Sequence, residues 1–455
     1  MSSAQRSDRL DSWKEVAQYL GRDERTVQRW EAERGLPIHR TPGDRRGGIY
    51  AYRREIDAWL AGQAPASLPG EPHSRRPVKN WVAAVGLVML GIGIGILADR
   101  RGHSASPLKW SSPNPVRVSV STDFVRAWDE SGRDLWSYHF PKPIDATAMP
   151  GPLDNFVRIA DINGDGKKEV LIAAPTRIGY SPDDPPQGEV DCLSSDGKLL
   201  WSYVPRTTMR IGDNELRGPW RLFDLYVSPD GASRIRIFAA VAHYRWGNSL
   251  VVELDPMTGR DTVRLVNNGV IWKVTEMTIP SGTYLLAGGF NSEHDGGVLA
   301  IMNENRPFAA SPQTGRYRCT SCPDGTPDFF LVFPRSELNQ WHKIYEDPVR
   351  GINVNSEGIA VTKHALKSDP SVYVVYLFNV TDGIRPISVR FDSGYDMLHQ
   401  ELSAAHKLKH DLQHCPERLQ PRPVRLWTPA SGWTELTFPA TVLAAQTAAA
   451  AAEYR

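Results

Sequence analysis

The pattern of apolar and polar residues divides this chain at one uncharged, strongly apolar run. Residues 81–98, WVAAVGLVMLGIGIGILA, form that run, and no other segment of the sequence resembles it. At about 1.5 Å per residue, such a run makes a helix of roughly 27 Å, close to the thickness of the hydrocarbon core of a bilayer. We therefore predict a transmembrane helix over 80–98, with a short head before it and a long body after it.

In the head, apolar residues recur at helical spacing in three short segments. Residues 12–15, SWKE, have the pattern of a capping box that opens a first helix. A second helix is predicted over 23–34 and a third over 53–61, with a glycine-rich basic hairpin tip at 42–48 between them. The order helix, tight turn, helix, hairpin, helix predicts a winged helix-turn-helix domain over 1–62.

The sequence WKEVAQYLGRDERTVQRWEAERGLP (13–37) resembles the MerR and excisionase families of DNA-binding proteins, and the likeness extends over 10–62. In such heads the second helix enters the major groove of DNA. The alternative is a solvated helix face, or a head that binds a protein partner. The resemblance implies DNA contacts from Arg25, Thr26, Gln28 and Arg29 on the second helix, and from Arg40, Arg45 and Arg46 on the wing.

Two features between head and body concern assembly. Residues 63–79 are rich in proline and lack apolar periodicity, which predicts a flexible linker. Within the apolar run, Gly91 and Gly95 have the four-residue spacing that lets two membrane helices approach closely. This spacing favours a homodimer, although glycine is common in membrane helices for other reasons.

After the apolar run, two types of short β unit alternate along the chain. One type places an Asp/Gly turn before a strand that carries tryptophan, and the other is a hairpin that precedes it. Two hairpins per period of roughly 50 to 65 residues would make a four-stranded sheet, which is the blade of a β-propeller. The first type is found at 124–140, 188–205 and, more weakly, 249–265, and the second at 156–174, 221–241 and 272–290.

The first unit type resembles the quinoprotein-like repeat, and the second resembles the FG-GAP repeat of integrin-type propellers. These resemblances imply a propeller-like domain over 110–395 with four to six blades, and another multi-sheet β domain is the alternative. Residues 396–455 are predicted as a helical and irregular tail. The predicted fold class is therefore multidomain: a small α+β winged helix-turn-helix, one transmembrane helix and a mainly-β propeller-like domain.

One loop of the second unit type has the pattern of a calcium site. Carboxylate or amide oxygens stand at loop positions 1, 3, 5 and 9, with glycine at 6 and a backbone carbonyl at 7, a spacing that can surround Ca²⁺. The alternative is an Asn-Gly/Asp-Gly hairpin turn without metal. We favour a structural Ca²⁺ held by Asp161, Asn163, Asp165, the carbonyl of Lys167, and Glu169.

The four cysteines all follow the apolar run. Cys319 and Cys322 form a CxxC pair, for which we favour a structural disulfide over unpaired buried thiols, half a zinc site or a redox pair. The pairing of Cys192 and Cys415 is left open. The sequence contains no nucleophile elbow, HExxH motif or phosphate-binding glycine loop, so an enzyme is not expected.

Charge does not select a partner, because 53 Lys and Arg balance 52 Asp and Glu. The order of modules is similar to that of ToxR-like one-component regulators. We therefore expect a transcriptional regulator of the inner membrane, with a cytoplasmic head that binds DNA and an extracytoplasmic domain that senses an unidentified ligand or protein. The alternative is a membrane-anchored binding or adhesion protein whose head contacts proteins.

Overall fold

The structure is a computed structural model. It describes residues 9–10, 12–20, 27–28, 31, 36–40, 49–60, 114–177, 185–229, 234–342, 346–356, 358–365 and 371–439. The chain divides into two compact units, Met1–Leu108 and Lys109–Arg455.

The described part of the amino-terminal unit is a small three-stranded sheet with two short helices. Its elements are β1 (Arg9–Leu10), α1 (Trp13–Leu20), β2 (His39–Arg40), β3 (Ile49–Tyr52) and α2 (Arg53–Leu60). The sheet order is β1-β3-β2, with both pairs antiparallel. The backbone N–H of Glu15 donates to Ser12 Oγ at 3.2 Å, as the capping pattern predicts. Val16 and Ile56 are fully buried in the core of this unit.

The predicted fold class is wrong, because the described residues form neither a winged helix-turn-helix nor a transmembrane helix. Of the predicted second helix, only Val27, Gln28 and Glu31 are described as helical. No described helix is long and apolar enough to cross a membrane. The longest has 12 residues, about 18 Å at 1.5 Å per residue, and the others are shorter and carry polar or charged side chains. The apolar run at 81–98 and the wing tip lie outside the described residues.

The described part of the carboxyl-terminal unit contains five mostly antiparallel sheets of three or more strands, whose first strands follow one another along the chain, and two separate two-stranded hairpins. Sheet 1 has three strands, and each of sheets 2 to 5 contains a four-stranded meander. Sheet 1 comprises β4 (Arg117–Val120), β5 (Phe124–Trp128) and β6 (Asp134–His139); sheet 2 comprises β7 (Val157–Ala160), β8 (Glu169–Ala173), β11 (Val190–Leu193) and β12 (Leu199–Tyr203). Between β8 and β11 lies the hairpin of β9 (Thr176–Arg177) and β10 (Pro186–Gln187), and after β12 that of β13 (Thr208–Ile211) and β14 (Asn214–Arg217).

Sheets 3 and 4 extend their meanders with added strands. Sheet 3 comprises β15 (Trp220–Val227), β16 (Ile237–His243), β17 (Ser249–Leu254) and β18 (Asp261–Asn267), with β22 (Ala309–Ala310) parallel to β18. Sheet 4 comprises β19 (Ile271–Ile279), β20 (Gly282–Asn291), β21 (Gly296–Asn303), β23 (Phe329–Phe333), β28 (Val424–Thr428) and β29 (Gly432–Leu436). Sheet 5 comprises β24 (Val349–Asn355), β25 (Gly358–His364), β26 (Tyr373–Asn379) and β27 (Arg385–Phe391).

Helices occupy the connections around sheets 4 and 5. They are α3 (Glu337–His342), α4 (Ser393–Ala404) and α5 (Pro416–Leu419), with short 3-10 turns at Ala146–Ala148, Leu153–Phe156 and Gly315–Tyr317. The segment predicted as a tail therefore contains most of α4, all of α5, and two strands that complete sheet 4. The spacing of apolar residues predicted the helix but not the return of the chain to an earlier sheet.

The six repeat units predicted from the sequence are confirmed as antiparallel strand pairs. The first strands of sheets 2 to 5 lie side by side, since β7 contacts β15, β15 contacts β19, and β19 contacts β24. Successive meanders with neighbouring first strands give the propeller-like arrangement that the repeats predicted.

A tryptophan–glycine contact joins sheets 1 to 3 in the same way twice. Trp136, from the last strand of sheet 1, donates its indole N–H to the carbonyl of Ser195 at 2.9 Å, in the outer turn of sheet 2. Trp201, from the last strand of sheet 2, donates in the same way to Pro256 at 2.9 Å, in the outer turn of sheet 3. Gly197 and Gly259 in those turns have positive φ angles and lie against the two indole rings, where a Cβ would overlap the ring. The two tryptophans therefore pack each sheet against the outer turn of the next.

Candidate ligand-binding site

A cavity with polar walls lies where the first strands of sheets 2 to 5 come together. Its volume is about 530 Å³, within the range of roughly 300–1,000 Å³ that is typical of small-molecule sites. The segment 150–156 closes part of its wall. The side chains that the first strands contribute are Arg158 of β7, Phe223 and Asp224 of β15, Trp272 and Lys273 of β19, and Arg350 of β24.

A β-bulge at the same place in three strands positions these side chains. The pairing of β15 with β16 skips Phe223, that of β19 with β20 skips Trp272, and that of β24 with β25 skips Arg350. A bulge leaves one residue outside the ladder and turns its side chain away from the regular alternation. All three skipped residues line the cavity, so the bulges form its wall.

Asp224 is the buried carboxylate of this cavity. Its Oδ2 accepts a hydrogen bond from the backbone N–H of Val274 at 2.8 Å and lies 3.2 Å from Lys273 Nζ. Arg158 NH2 lies 3.8 Å from its Oδ1. Burial raises the pKa of Asp224, whereas Lys273, the N–H of Val274 and Arg158 oppose the rise. The carboxylate of Asp224 therefore lies near two cationic side chains, and it is closer to Lys273 than to Arg158.

Arg350 and Trp272 carry buried hydrogen-bond donors for which the described part of the chain provides no acceptor. The Arg350 guanidinium stacks on the Trp272 ring, 3.6 Å from its centroid, and Phe223 meets the same indole edge to face at 4.8 Å. Arg350 Nε and Trp272 Nε1 are both buried, and neither has a hydrogen-bond partner among the described residues. Burial lowers the pKa of Arg350, opposed by Glu346, and burial also lowers the pKa of Arg158, opposed by Asp224.

These features suit one kind of occupant. Three cationic side chains face the cavity beside two carboxylates, Asp154 and Asp224. Buried N–H donors without acceptors are uncommon and unfavourable, and an anion that accepts from them would remove the penalty. A carboxylate, sulfate or phosphate group therefore matches the charge and the donors of this cavity.

The predicted calcium loop connects β7 and β8 and borders a different cavity, between sheets 1 and 2. Its side chains accept backbone N–H groups of the loop: Asp161 from Gly164 at 2.7 Å, and Asn163 from Asp165 at 2.9 Å. Glu169 is buried and accepts from the backbone N–H of Ile162 at 3.2 Å. Burial raises the pKa of Glu169, and the nearby charges of Asp165 and Asp161 raise it further, against the N–H of Ile162.

The residues predicted to contact DNA are mostly outside the described part of the chain. Gln28 is helical and exposed, and Arg40 ends β2. Arg25, Thr26, Arg29, Arg45 and Arg46 lie outside the described residues.

Two of the four cysteines form a disulfide, and the other two are free. Cys319 and Cys322 form a disulfide in the structure, which matches the pairing favoured from their spacing. Cys192 and Cys415 are free and buried, on sheet 2 and at the start of α5 respectively.

Sequence reasoning missed the cavity, although its residues follow a local pattern. Phe223-Asp224, Trp272-Lys273 and Arg350-Gly351 stand near the start of a β unit in successive sheets. The available signal was a break in the alternation of apolar and polar residues. At each break, a large or charged residue stands next to a polar or small one. The bulges that explain it depend on pairing with the next strand, which the sequence pattern alone does not specify.

No protein-family model matches the chain, so the resemblance of residues 10–62 to MerR and excisionase proteins gains no support, and no curated protein matches it in sequence. Solved structures of the β-propeller type are similar to it. One, the structure of the Dos1 propeller, is 12% identical with a TM-score of 0.31, over 69% of this chain and 64% of its own. Another, the Pseudomonas aeruginosa PilY1 C-terminal domain, is 13% identical with a TM-score of 0.33, over 58% of this chain and 57% of its own. TM-scores this low carry no inference about function.

Proposed function

We propose that the carboxyl-terminal unit is a receptor domain that binds a small anionic ligand between the first strands of sheets 2 to 5. The observation that carries the proposal is the pair of buried donors at the wall of a cationic cavity, Trp272 Nε1 and Arg350 Nε, for which none of the residues that the structure describes is an acceptor. The three bulges support it, because they place an aromatic or cationic side chain toward the cavity from three separate sheets.

Calorimetric titration of the purified full chain with sulfate, inorganic phosphate and succinate tests this function. We expect one site for at least one of these anions and a loss of affinity of about tenfold or more in Lys273→Met and Arg350→Gln, since each removes a charge-assisted contact worth about 1.5–3 kcal/mol. Arg385→Gln, at an exposed position of β27, is the matched control and keeps wild-type affinity. If none of the three anions binds, or if both cavity variants bind as wild type does, the cavity is not an anion receptor.

We also propose that this receptor domain supplies the signal of a one-component regulator. The order of modules in the sequence supports this reading, and DNA contacts by Arg25 and Arg29 and a location at the inner membrane stay predictions. Mapping of DNA occupancy in cells by crosslinking and sequencing compares wild type with Arg25→Ala/Arg29→Ala. Discrete sites that disappear in the double variant are expected. Profiles that look alike and contain no enriched sites would leave the alternative, a binding or adhesion protein.

A third proposal concerns Ca²⁺ in the loop between β7 and β8. Asp161, Asn163, Asp165, the carbonyl of Lys167 and Glu169 belong to one loop, and the like charges that raise the pKa of Glu169 would be offset by a cation there. The loop joins two strands of one sheet, so a bound Ca²⁺ would act as a structural clip.

A further inference from the structure

Four side chains with metal-ligating atoms meet outside the repeated sheets, among the three helices of the carboxyl-terminal unit. Glu337 begins α3, His399 lies within α4, His410 follows α4, and Cys415 precedes α5. One ligand atom from each lies within 4.8 Å of every other. His399 and Cys415 are fully buried.

The distances between these atoms are those of a coordination shell. His399 Nε2 lies 3.3 Å from His410 Nε2 and 3.9 Å from Glu337 Oε2. His410 Nε2 lies 3.1 Å from Glu337 Oε2, and Cys415 Sγ lies 3.8 Å from the same oxygen. Bonds of 2.0–2.3 Å to one tetrahedral zinc ion place its ligand atoms about 3.3–3.8 Å apart. The four separations above are close to these edges, and Cys415 Sγ lies within 4.8 Å of a ring nitrogen of each histidine.

The donor set of the cluster suits a cation. The thiol of Cys415 donates to Glu337 Oε2, and His410 Nε2 lies within hydrogen-bond distance of the same oxygen. Once the thiol and the imidazoles lose their protons, all four groups offer lone pairs, which is the state in which they ligate a metal. Within the described residues, the ion-pair partners seen for Glu337 are these two histidines, with no lysine or arginine beside it.

A second carboxylate holds the helices that carry the ligands. Glu417 of α5 accepts a hydrogen bond from the backbone N–H of Glu337 at 3.0 Å and from the hydroxyl of Tyr395 at 2.7 Å. Tyr395 belongs to α4, and its ring stacks near that of His399, with centroids 6.2 Å apart. One buried side chain thus ties α3, α4 and α5 together, which fixes the ligand atoms before any ion arrives.

We propose that Glu337, His399, His410 and Cys415 bind one Zn²⁺ ion in a tetrahedral structural site. The mixture of thiolate, imidazole and carboxylate suits zinc among the common divalent ions. Four protein ligands fill the coordination shell, so no position is left for water, and the role is to secure the helices against sheets 4 and 5. The spacing H399–x10–H410–x4–C415, with Glu337 far upstream, is not a standard zinc motif, which is why the sequence did not suggest it.

The test begins with the full chain, produced with a tag that contains no histidine. We expect about one zinc per chain by mass spectrometry of metals after reconstitution, and a thiolate charge-transfer band when cobalt replaces zinc. Cys415→Ser loses that band and lowers zinc affinity about tenfold or more. Two matched controls keep both signals: Cys192→Ser, at the other buried free thiol, and His414→Gln, at an exposed histidine of the same segment.

A measurement on the wild type decides the matter if Cys415→Ser fails to fold. Alkylation of Cys415, followed by peptide mass spectrometry, is expected to be slow with zinc bound and to accelerate about tenfold or more in a chelator, with Cys192 as the internal reference. Less than one tenth of an equivalent of zinc after reconstitution would overturn the proposal. So would a cobalt spectrum without the thiolate band.

Discussion

The cavity between sheets 2 to 5 and the four-residue cluster among the helices draw their polar residues from different sources. The cavity is built by the repeat: the same bulge in β15, β19 and β24 turns a side chain inward three times. The cluster is built by segments that interrupt the repeat, each of which contributes one or two ligands. Equivalent positions of repeated sheets can therefore line a wide site. The closely spaced ligands of a metal site come instead from segments that do not belong to the repeat.

The largest expected effect on stability comes from a buried ion pair between the cavity and the cluster. Lys363 of β25 and Asp347 are both fully buried, and Lys363 Nζ donates to Asp347 Oδ2 at 2.8 Å. The same oxygen accepts from the backbone N–H of Ser336, which precedes α3. Lys363→Met leaves a buried carboxylate without its cation, and we expect a loss of about 3–5 kcal/mol in the free energy of unfolding, measured by urea denaturation.

The double variant Lys363→Met/Asp347→Leu is the control for that prediction. Since both charges are gone, it is expected to recover most of the stability that the single variant loses. A double variant as unstable as the single one would mean that packing, and not the unpaired charge, causes the loss.

A smaller loss is expected within the repeat, at the tryptophan–glycine contact. A Cβ at Gly259 would lie 2.5 Å from Trp201, and the φ angle there is +67°. Gly132 has a similar φ of +81° but no heavy atom within 4 Å of such a Cβ. Gly259→Ala is therefore expected to destabilise the protein by about 1–3 kcal/mol more than Gly132→Ala, from overpacking alone. Equal changes of melting temperature in the two variants would show that the Trp201 ring moves aside without a loss of stability.

Calcium is expected to stabilise the repeat by a comparable or smaller amount. At ten times its Kd, a ligand that binds the native state adds about 1.4 kcal/mol to the free energy of unfolding. Calcium should therefore raise the melting temperature of wild type and of Asp196→Asn, a carboxylate at the same cavity. Asp165→Asn is expected to lose the shift, and a shift that persists in this variant would place calcium elsewhere.

The smallest expected effect is on ligand affinity as the pH falls. Affinity is expected to rise at the cavity and to fall at the four-residue cluster. Burial raises the pKa of Asp224, against Lys273, the N–H of Val274 and Arg158. Below that pKa the carboxyl is neutral, repels an anion less and releases its two cations, while Arg350 stays charged. Sulfate is therefore expected to bind several-fold more tightly in acid, whereas zinc binding weakens because protons compete for histidine and cysteine.

Calorimetry with sulfate across pH, together with zinc retention in the same buffers, measures both sites. Asp224→Asn is expected to bind sulfate tightly at every pH, with zinc retention unchanged. Parallel pH profiles for sulfate and zinc would show that the two sites are coupled and do not respond to acid independently.

The repeated part was predictable because its signals are local. Alternating apolar residues and Asp/Gly turns located the six hairpins, and tryptophan marked the strand after the turn in the first unit type. Both signals depend on residues within one hairpin, where the sequence pattern and the structure have the same period. The loop at 161–169 was likewise located as a turn, although its metal is untested.

The two polar sites were not predictable for a related reason. Phe223, Trp272 and Arg350 line a cavity because the partner strand skips them, and register is set by tertiary pairing. Glu337 and Cys415 meet because Glu417 ties α3 and α5 together across a long stretch of sequence. Nothing near His399 in the sequence identifies the other three residues as its partners. The predicted fold class was wrong because a transmembrane helix was inferred from apolar content alone and a winged helix-turn-helix from a short family resemblance.

The return of the chain to sheet 4 has a consequence for biosynthesis. Strand β23, FFLVF, is covered on its outer edge by β28, which follows only after the whole of sheet 5 and the three helices. At translation rates of about 5–20 residues per second, that edge waits on the order of ten seconds for its partner. An unpaired apolar strand edge invites pairing with other chains. The nascent protein is therefore most in need of chaperone protection between the emergence of Phe333 and that of Val424.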